Sequence, residues 1–287
     1  MAKGTKLNVN LLWLGDPQSF DTALVGGKAA NLSRLARLYH RVPDGFCLPV
    51  NLMDHAHPLD LRDEIERAIA GLMACHSLPD FVAAVRSSAV DEDGAVASFA
   101  GQHESYLNIA GAEEIVHAIG LCWESARSER ALEYRRRQGL SLERIRLAVL
   151  VQQLVAADVS AIAFSANPVT GDRDEVLINA SWGLGESIVG GTVTPDTFVV
   201  RKSVLAVASQ SIAEKGRMTV SVPGGTREVH VPRFLQNEAS LSEEQLIEVA
   251  QLALSLEATM GYPVDIECAY ASGQLYLLQC RPITTLS

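Results

Sequence analysis

Four polar residues near the C-terminal end of the sequence have the side chains that a metal ion and a phosphate group require. Asp265 and Glu267 lie in one apolar run, and Gln279 and Arg281 lie in the next. Carboxylate and amide oxygens suit Mg²⁺, and an arginine binds phosphate through paired hydrogen bonds. Because side chains alternate along a strand, the first pair shares one face of its strand, and so does the second pair. The sequence therefore predicts a β-hairpin with polar groups on one face of each strand.

The turn between these strands decides whether the two polar faces coincide. We expect Ala271, Ser272 and Gly273 to form a three-residue loop, because the glycine takes the left-handed conformation that such loops need. This loop places Asp265 opposite Gln279, and all four polar side chains then converge. The alternative is an amphipathic hairpin with a solvated face, since polar and apolar residues alternate in most antiparallel sheets.

Two basic residues earlier in the sequence also have the surroundings of phosphate ligands. Lys28 follows two glycines where the pattern changes to that of a helix, and backbone N–H groups at a helix start attract anions. The spacing is not that of a P-loop. Arg86 ends a buried strand beside Ser87 and Ser88, where its guanidinium group can bind phosphate. The alternatives are a flexible turn with a solvated lysine and an arginine paired with the acidic residues 91–93.

The composition is that of a globular protein, and it limits the partners. The 287 residues are 48% hydrophobic and 20% charged, enough for one large or two ordinary domains. A formal charge of −10 opposes binding to nucleic acid and to anionic membrane surfaces. The five cysteines lack metal or disulfide spacing, and the sequence shows neither a signal peptide nor a membrane span. We therefore expect a cytoplasmic protein with no nucleic acid or membrane partner.

Helical and strand patterns are mixed along the chain, which predicts an α+β fold. Short apolar runs separated by turn residues predict one antiparallel sheet built from residues 147–154, 159–165, 175–180 and 197–200. A capping box at Ser242 predicts the start of a helix that ends near Gly261. Because no low-complexity linker interrupts the sequence, we expect one domain over 1–287 with approximate lobes 1–140 and 141–287.

Seven motifs occur in the order in which one known family carries them. They are GGKAANL at 26–32, VRSSA at 85–89, SFAGQ at 98–102, ANPVTG at 166–171, GLGE at 183–186, PD at 195–196 and LLQCRPIT at 277–284. Together they resemble the ATP-grasp nucleotide-binding domain of phosphoenolpyruvate synthase, pyruvate phosphate dikinase and rifampin phosphotransferase. The resemblance covers nearly the whole chain. It implies an α+β, ATP-grasp fold in which two lobes with antiparallel sheets and flanking helices surround a nucleotide cleft.

The resemblance also implies which residues bind ATP and Mg²⁺. The set is Lys28, Arg86, Gly101, Ser105, Gln152, Glu267, Gln279 and Arg281. Lys28 and Arg86 would contact the ATP phosphates, Arg281 would hold the transferring phosphate, and these three residues are the catalytic candidates. Glu267 and Gln279 would bind the metal ion. The glycine and the serine would line the phosphate loop, and Gln152 would lie beside the adenine.

The chemistry of this family implies an ATP-dependent phosphotransferase that passes a phosphoryl group to a histidine, with AMP and phosphate as by-products. None of the seven histidines, at positions 40, 55, 57, 76, 103, 117 and 230, has the motif of the family's phosphohistidine. We therefore expect the ATP-binding component of a split or excised phosphotransferase; split members resemble the phenylphosphate and methylphenyl-phosphate synthases. A second protein subunit, or another domain, would carry the swivelling phosphohistidine and the acceptor site, for a phenol or a pyruvate-like molecule. A self-contained small-molecule kinase and a non-catalytic ATP-sensing module are the alternatives.

The sequence departs from the family pattern at four places. The helical segment after Val50 is shorter than usual, which we expect to alter docking. Ala29 replaces the glycine that commonly follows the motif lysine, Ser105 replaces a threonine, and Cys268 replaces a tryptophan. These three replacements are expected to have mild effects.

Overall fold

The computed structural model describes residues 10–76, 79–90, 105–137, 139–142, 145–284 and 286. Helices and antiparallel strands are mixed through these residues, so the predicted α+β class is confirmed. The chain forms two compact units. The first consists of the described residues of Met1–Tyr39, Asp44–Glu92 and Phe99–Leu154, and the second of those of His40–Pro43 and Val155–Ser287. Among the described helices, none has the length and apolar character that crossing a membrane requires.

Within its described residues, the first unit is a five-stranded antiparallel sheet with five helices. Its strands are β1 (Leu12–Trp13), β2 (Gly45–Leu48), β3 (Val82–Ala89), β4 (Ser105–Ala110) and β5 (Leu147–Gln153), in the spatial order β1-β2-β5-β3-β4. Its helices are α1 (Thr22–Arg37), α2 (Leu52–His55), α3 (Arg62–His76), α4 (Ala112–Ser125) and α5 (Glu129–Arg137). Short 3₁₀ turns cover Pro17–Phe20 and Pro58–Leu61.

The two faces of the first sheet are covered by different helices. Val85 of β3 and Val151 of β5 are cross-strand partners, and they belong with Ile115 of α4 to one buried hydrophobic cluster. The alternate residues of the same strands face the other way, toward α1. On that side the thiol of Cys47 in β2 lies 3.8 Å from the backbone oxygen of Val25 in α1. The core of this unit therefore lies on the α4 side of the sheet.

In the described part of the second unit, a six-stranded antiparallel sheet packs with one long helix. Its strands are β6 (Val159–Phe164), β7 (Glu175–Trp182), β8 (Asp196–Arg201), β9 (Ala206–Ser211), β12 (Val264–Ala271) and β13 (Gln274–Pro282), in the spatial order β13-β12-β6-β7-β8-β9. The strands β10 (Arg217–Val222) and β11 (Gly225–His230) form a separate hairpin. The helices are α6 (Glu186–Val189) and α7 (Glu243–Met260), and a 3₁₀ turn covers Arg233–Leu235.

Helix α7 covers one face of the second sheet. The predicted capping box is confirmed, with the Ser242 hydroxyl accepting from the Gln245 backbone, and the helix ends at Gly261 in the left-handed conformation. Tyr270 of β12 donates a hydrogen bond to a carboxylate oxygen of Glu248 in α7 at 2.6 Å. Burial and this carboxylate raise the pKa of Tyr270. Residues of β12 with the parity of Tyr270 therefore face α7, and the alternate residues face away from it.

The strand over 147–153 belongs to a different sheet from the one predicted. The sequence suggested that it joins the strands near 159–165, 175–180 and 197–200. In the structure β5 pairs with β2 and β3 in the first unit, whereas the other strands form the second sheet. The prediction of a single sheet is wrong because apolar alternation marks a strand but not its partner. The first unit consequently continues past residue 140 to Leu154.

Candidate functional site

The register of the β12–β13 hairpin differs from the predicted one. Its turn has two residues, Ser272 and Gly273, both with positive φ (50° and 74°), and Ala271 lies opposite Gln274. Both central residues of a type I′ turn have positive φ, and this turn matches the twist of the flanking strands. The predicted three-residue loop is therefore wrong, because Ser272 adopts a conformation that is uncommon for a residue with a side chain.

A β-bulge further along the hairpin changes the register once more. Cys268 lies opposite Leu277, but Glu267 lies opposite Gln279, so that Leu278 is an extra residue in β13. Asp265 consequently faces Arg281, not Gln279 as predicted. Without the bulge, the two-residue turn would place Gln279 and Arg281 on the α7 side of the sheet. With it, all four polar residues lie on the face away from α7, and the prediction that they share a face is confirmed.

Asp265 and Arg281 form an ion pair on this face. Nε and Nη2 of the arginine both lie 2.8 Å from Oδ2 of the aspartate. The other oxygen, Oδ1, is buried and has no hydrogen-bond partner within the described part of the chain. Burial raises the pKa of Asp265 and the Glu267 carboxylate raises it further, while Arg281 opposes both effects. The ion pair with Arg281 therefore does not fully offset the burial of this carboxylate.

The donor set of this face fits a hard divalent cation. The orphaned oxygen of Asp265 lies on the face that carries Glu267 and Gln279, and Mg²⁺ prefers such carboxylate and amide oxygens. Cys268 has the opposite parity and is buried on the α7 side, where burial raises its pKa to about 12. The thiol that stands in place of the family's tryptophan is thus not part of the donor set.

Lys28 is held against strand β3 in the first unit. Helix α1 begins at Thr22, before the predicted glycine turn, and it is interrupted at Gly26, whose φ is 76°. A Cβ atom at Gly26 would lie 2.2 Å from the backbone oxygen of Ser88, so only glycine allows this approach. Nζ of Lys28 donates to the backbone oxygen of Ser87 at 3.0 Å, and the side chain is buried. The alternative of a flexible turn with a solvated lysine is therefore wrong.

Three predicted residues of the first unit share the face that α1 covers. Arg86 of β3 lies directly opposite Ser105 of β4. Ala84, with the same parity as Arg86, lies opposite Gln152 of β5. Directly opposed residues share a face. Arg86, Ser105 and Gln152 therefore lie on the α1 side of the sheet, which is also the side of Lys28. Gln152 is buried, Arg86 is half-buried and Ser105 is exposed.

Part of the predicted phosphate loop lies outside the described residues. Gly101 belongs to this part, and so do the acidic residues 91–93, the alternative partners of Arg86. The structure therefore places seven of the eight predicted residues: four on the α1 face of the first sheet, and three on the polar face of the second.

A groove of about 760 Å³ lies elsewhere in the first unit. It runs along α4 and is lined by apolar residues that include Met53, Leu59, Val116 and Trp123. None of the seven predicted residues that the structure describes lines it. Because α4 covers the face of the sheet opposite to α1, this groove is separate from the Lys28 side.

Sequence reasoning missed a fully buried ion pair in the second unit. The carboxylate of Asp196 in β8 accepts from Nζ of Lys215 at 2.6 Å, from the backbone of Ala213, and from both the backbone and the hydroxyl of Ser240. Neither charged side chain is exposed to solvent. Asp196 belongs to the motif at 195–196, which marks it in the sequence. The residues that bind its carboxylate are distant from it in sequence, so the motif does not reveal them. The pair ties β8 to the segments that precede β10 and α7.

Comparisons with known proteins agree on one family. A family model described as "Pyruvate phosphate dikinase, AMP/ATP-binding domain" matches residues 51–287. Phosphoenolpyruvate synthase of Pyrococcus furiosus is 42% identical over 238 residues, which cover 80% of this chain and 29% of that protein. Rifampicin phosphotransferase of a Streptomyces species is 37% identical over 311 aligned positions, which cover 95% of this chain and 36% of that protein.

Two further comparisons show how much of the relatives this chain spans. A probable phosphoenolpyruvate synthase of Methanocaldococcus jannaschii is 35% identical over 317 aligned positions, covering 96% of this chain and 27% of that protein. Among solved structures, D-alanyl-alanine synthetase A of Vibrio cholerae matches with a TM-score of 0.36 at 15% identity, over 90% of this chain and 59% of that one. The chain thus spans about a third of the length of these sequence relatives.

Proposed function

The chain belongs to the pyruvate phosphate dikinase AMP/ATP-binding domain family, and on this premise we propose that it binds Mg-ATP as the nucleotide-activating part of a phosphotransferase. The single observation that carries the proposal is the polar face of β12 and β13. There, two carboxylates, an amide and a guanidinium share one side of a strand pair, and one buried carboxylate oxygen has no partner among the described residues.

The residues of this face have distinct roles in the proposal. Glu267, Gln279 and the orphaned oxygen of Asp265 would hold Mg²⁺, which neutralises phosphate charge when it is bound. Arg281 is held by Asp265 through Nε and Nη2, and this ion pair fixes the direction in which its guanidinium group points. A preoriented cation stabilises the charge that builds up as a phosphoryl group is transferred.

The first unit supplies the remaining phosphate chemistry in this proposal. Lys28 and Arg86 are cations on one face of the first sheet, and the lysine is oriented by its bond to the Ser87 backbone. Ser105, directly opposite Arg86, would donate its hydroxyl to a phosphate oxygen. Gln152 would lie beside the adenine, and Gly101 would belong to the phosphate loop. Phosphoryl transfer depends mostly on such positioning and charge stabilisation.

The phosphoryl group is proposed to pass to a histidine outside this chain, with AMP and phosphate as by-products. None of the seven histidines has the expected motif, and the chain spans only 27–36% of the cited relatives. The receiving histidine would belong to a swivelling domain on a second protein or on another part of the same protein. A phenol or a pyruvate-like molecule is the proposed final acceptor.

Nucleotide binding tests the proposal directly. We expect titration calorimetry to show that the chain binds ATP only when Mg²⁺ is present. Glu267→Gln should weaken this binding by about tenfold or more, because an amide neutralises the cation less well than a carboxylate. Folding should be unchanged, since Glu267 is half-exposed. Metal-independent binding of equal strength in both proteins would contradict the proposed metal site, and loss of the folded state in Glu267→Gln would indicate a structural hairpin.

A further inference from the structure

A second polar pair lies on the same face of the second sheet as Glu267 and Gln279. Asn179 of β7 and Thr197 of β8 are directly opposed. The hydroxyl of Thr197 donates a hydrogen bond to Oδ1 of Asn179 at 3.0 Å, and both side chains are half-buried. Neither residue was singled out by the sequence. The alternate residues Ile178 and Phe198 are buried on the α7 side.

The pairings of the sheet place this pair in one row with the proposed metal ligands. Gln279 lies opposite Glu267, Glu267 opposite Ile162, and Ile162 opposite Asn179. Directly opposed residues of an antiparallel sheet share a face, so these side chains stand side by side across the strands. Asn179 is two strands away from Glu267, which corresponds to about 10 Å between their backbones.

The hydrogen bond from Thr197 decides what Asn179 can offer to a ligand. Because Oδ1 accepts from the Thr197 hydroxyl, the Nδ2 group of the Asn179 amide points away from Thr197. This amide nitrogen can only donate a hydrogen bond. Ile162, between Asn179 and Glu267, offers no hydrogen bond. A ligand that contacts both polar residues must therefore bridge this apolar side chain.

The dimensions of the row match a metal-bound phosphate group. Two metal–oxygen contacts are about 2 Å each and an amide hydrogen bond is about 2.9 Å, so a chain of carboxylate, Mg²⁺, phosphate and amide spans a distance similar to two strand spacings. A phosphate oxygen carries negative charge and accepts readily from an amide N–H. The two carboxylates of the face would repel a phosphate that lacked the cation.

We propose that Asn179, oriented by Thr197, is a further nucleotide-binding residue whose Nδ2 donates to a phosphate oxygen of the metal-bound nucleotide. This inference rests on the proposed function, because it uses the same face and the same ligand. Asn179 contacts the ligand, and Thr197 acts through Asn179 as a positioning residue.

Calorimetric titration of substituted chains with Mg-ATP and with adenosine tests the inference. Asn179→Ala should lower the affinity for Mg-ATP by about tenfold, the usual effect of losing one hydrogen bond to a charged group. Its affinity for adenosine should stay at the wild-type value, since adenosine has no phosphate. Thr197→Val keeps the shape of the side chain, and should lower the Mg-ATP affinity severalfold. Ser211→Ala, in the same row but exposed on β9, is the matched control and should change neither affinity.

A double substitution separates positioning from a general structural role. If Thr197 acts only by orienting Asn179, Thr197→Val should have no further effect on Mg-ATP affinity in the Asn179→Ala chain. An additional loss there would overturn the positioning role. Unchanged Mg-ATP affinity in Asn179→Ala, or an equal loss of adenosine affinity, would overturn the phosphate contact while leaving the proposed function intact. A wild-type chain that binds no Mg-ATP would overturn both.

Discussion

At the scale of single residues, Gly26 shows how much one backbone position constrains the Lys28 side of the first unit. Its φ of 76° is unfavourable for a residue with a side chain, and a Cβ atom would collide with the backbone of Ser88. The positions of the added Cβ atom and of the Ser88 carbonyl group are both set by the backbone, so a rotamer change cannot relieve the collision. The glycine is what allows α1 to bring Lys28 against β3.

We therefore expect Gly26→Ala to lower the free energy of unfolding by about 2 kcal/mol or more, from the left-handed conformation and the collision together. Urea denaturation would measure the change. Gly71→Ala is the matched control, because Gly71 lies in α3, where a Cβ atom would have no described neighbour within 4 Å, and the substitution should be neutral or stabilising. Equal stability of the two variants would contradict the close approach.

Asp265 should make the stability of the nucleotide-free chain depend on pH. Burial raises its pKa above the ordinary value of 3.8, so the folded state holds the proton more tightly than the unfolded state does. This contribution to stability is complete below about pH 3.8 and is lost as the pH rises through the raised value. Asp265→Asn should remove that part of the pH dependence in denaturation experiments, while weakening Mg-ATP binding. An unchanged pH profile would show that Asp265 titrates normally.

At the scale of elements, the β-bulge at Leu278 decides which way Gln279 and Arg281 point. Deleting Leu278 removes only the unpaired residue, so Glu267 stays opposite Gln279 and Asp265 stays opposite Arg281 in a regular hairpin. We expect this deletion to preserve most of the Mg-ATP binding, as measured by calorimetry. Deleting Cys280 instead moves Arg281 opposite Ile266, on the α7 side, because a shift of one residue exchanges the faces of a strand. This second deletion should abolish Mg-ATP binding and lower stability in thermal unfolding, and retained binding there would mean that the facing of Arg281 does not set the site.

The buried ion pair of Asp196 and Lys215 should contribute to stability through the elements that it joins. Lys215→Met removes one partner and leaves a buried carboxylate with only neutral donors, which typically costs about 3–5 kcal/mol. Equilibrium denaturation should show this loss. The exposed ion pair of Arg217 and Glu228 is the comparison, and Arg217→Met should cost less than about 1 kcal/mol.

The hairpin also shows which features of the site could be predicted from the sequence. Strand alternation predicted that Asp265 and Glu267 share a face, because alternation is a local property of the chain. The register depends on the positive φ of Ser272 and on the bulge at Leu278, and the pattern of apolar residues predicts neither. The ion pair of Asp196 and the bond between Thr197 and Asn179 join residues distant in sequence, so they could not be read from motifs.

At the scale of the whole molecule, the proposal makes a clear distinction between binding and turnover. With ATP and Mg²⁺ alone, the chain should bind nucleotide but form little AMP, because it lacks the histidine motif that receives the phosphoryl group. Adding a protein that carries this histidine should start AMP formation and label the histidine with phosphate. Chromatographic measurement of AMP would follow the reaction.

Two controls distinguish this proposal from the alternative functions. Replacing the partner's histidine should abolish both the label and AMP formation. Steady AMP release by this chain alone, with or without a small acceptor, would favour a self-contained kinase. Binding without turnover in the presence of every suitable partner would favour an ATP-sensing module.

The turn and the bulge of the β12–β13 hairpin together satisfy a rule of parity. Residues 268–278, eleven in number, separate Glu267 from Gln279. A regular hairpin with a two-residue turn places opposite each other only residues that an even number separates, so the bulge accommodates the odd residue. A change of one residue in the length of this hairpin should therefore keep the polar face when a bulge is gained or lost with it, and a three-residue loop without a bulge would be an equivalent solution.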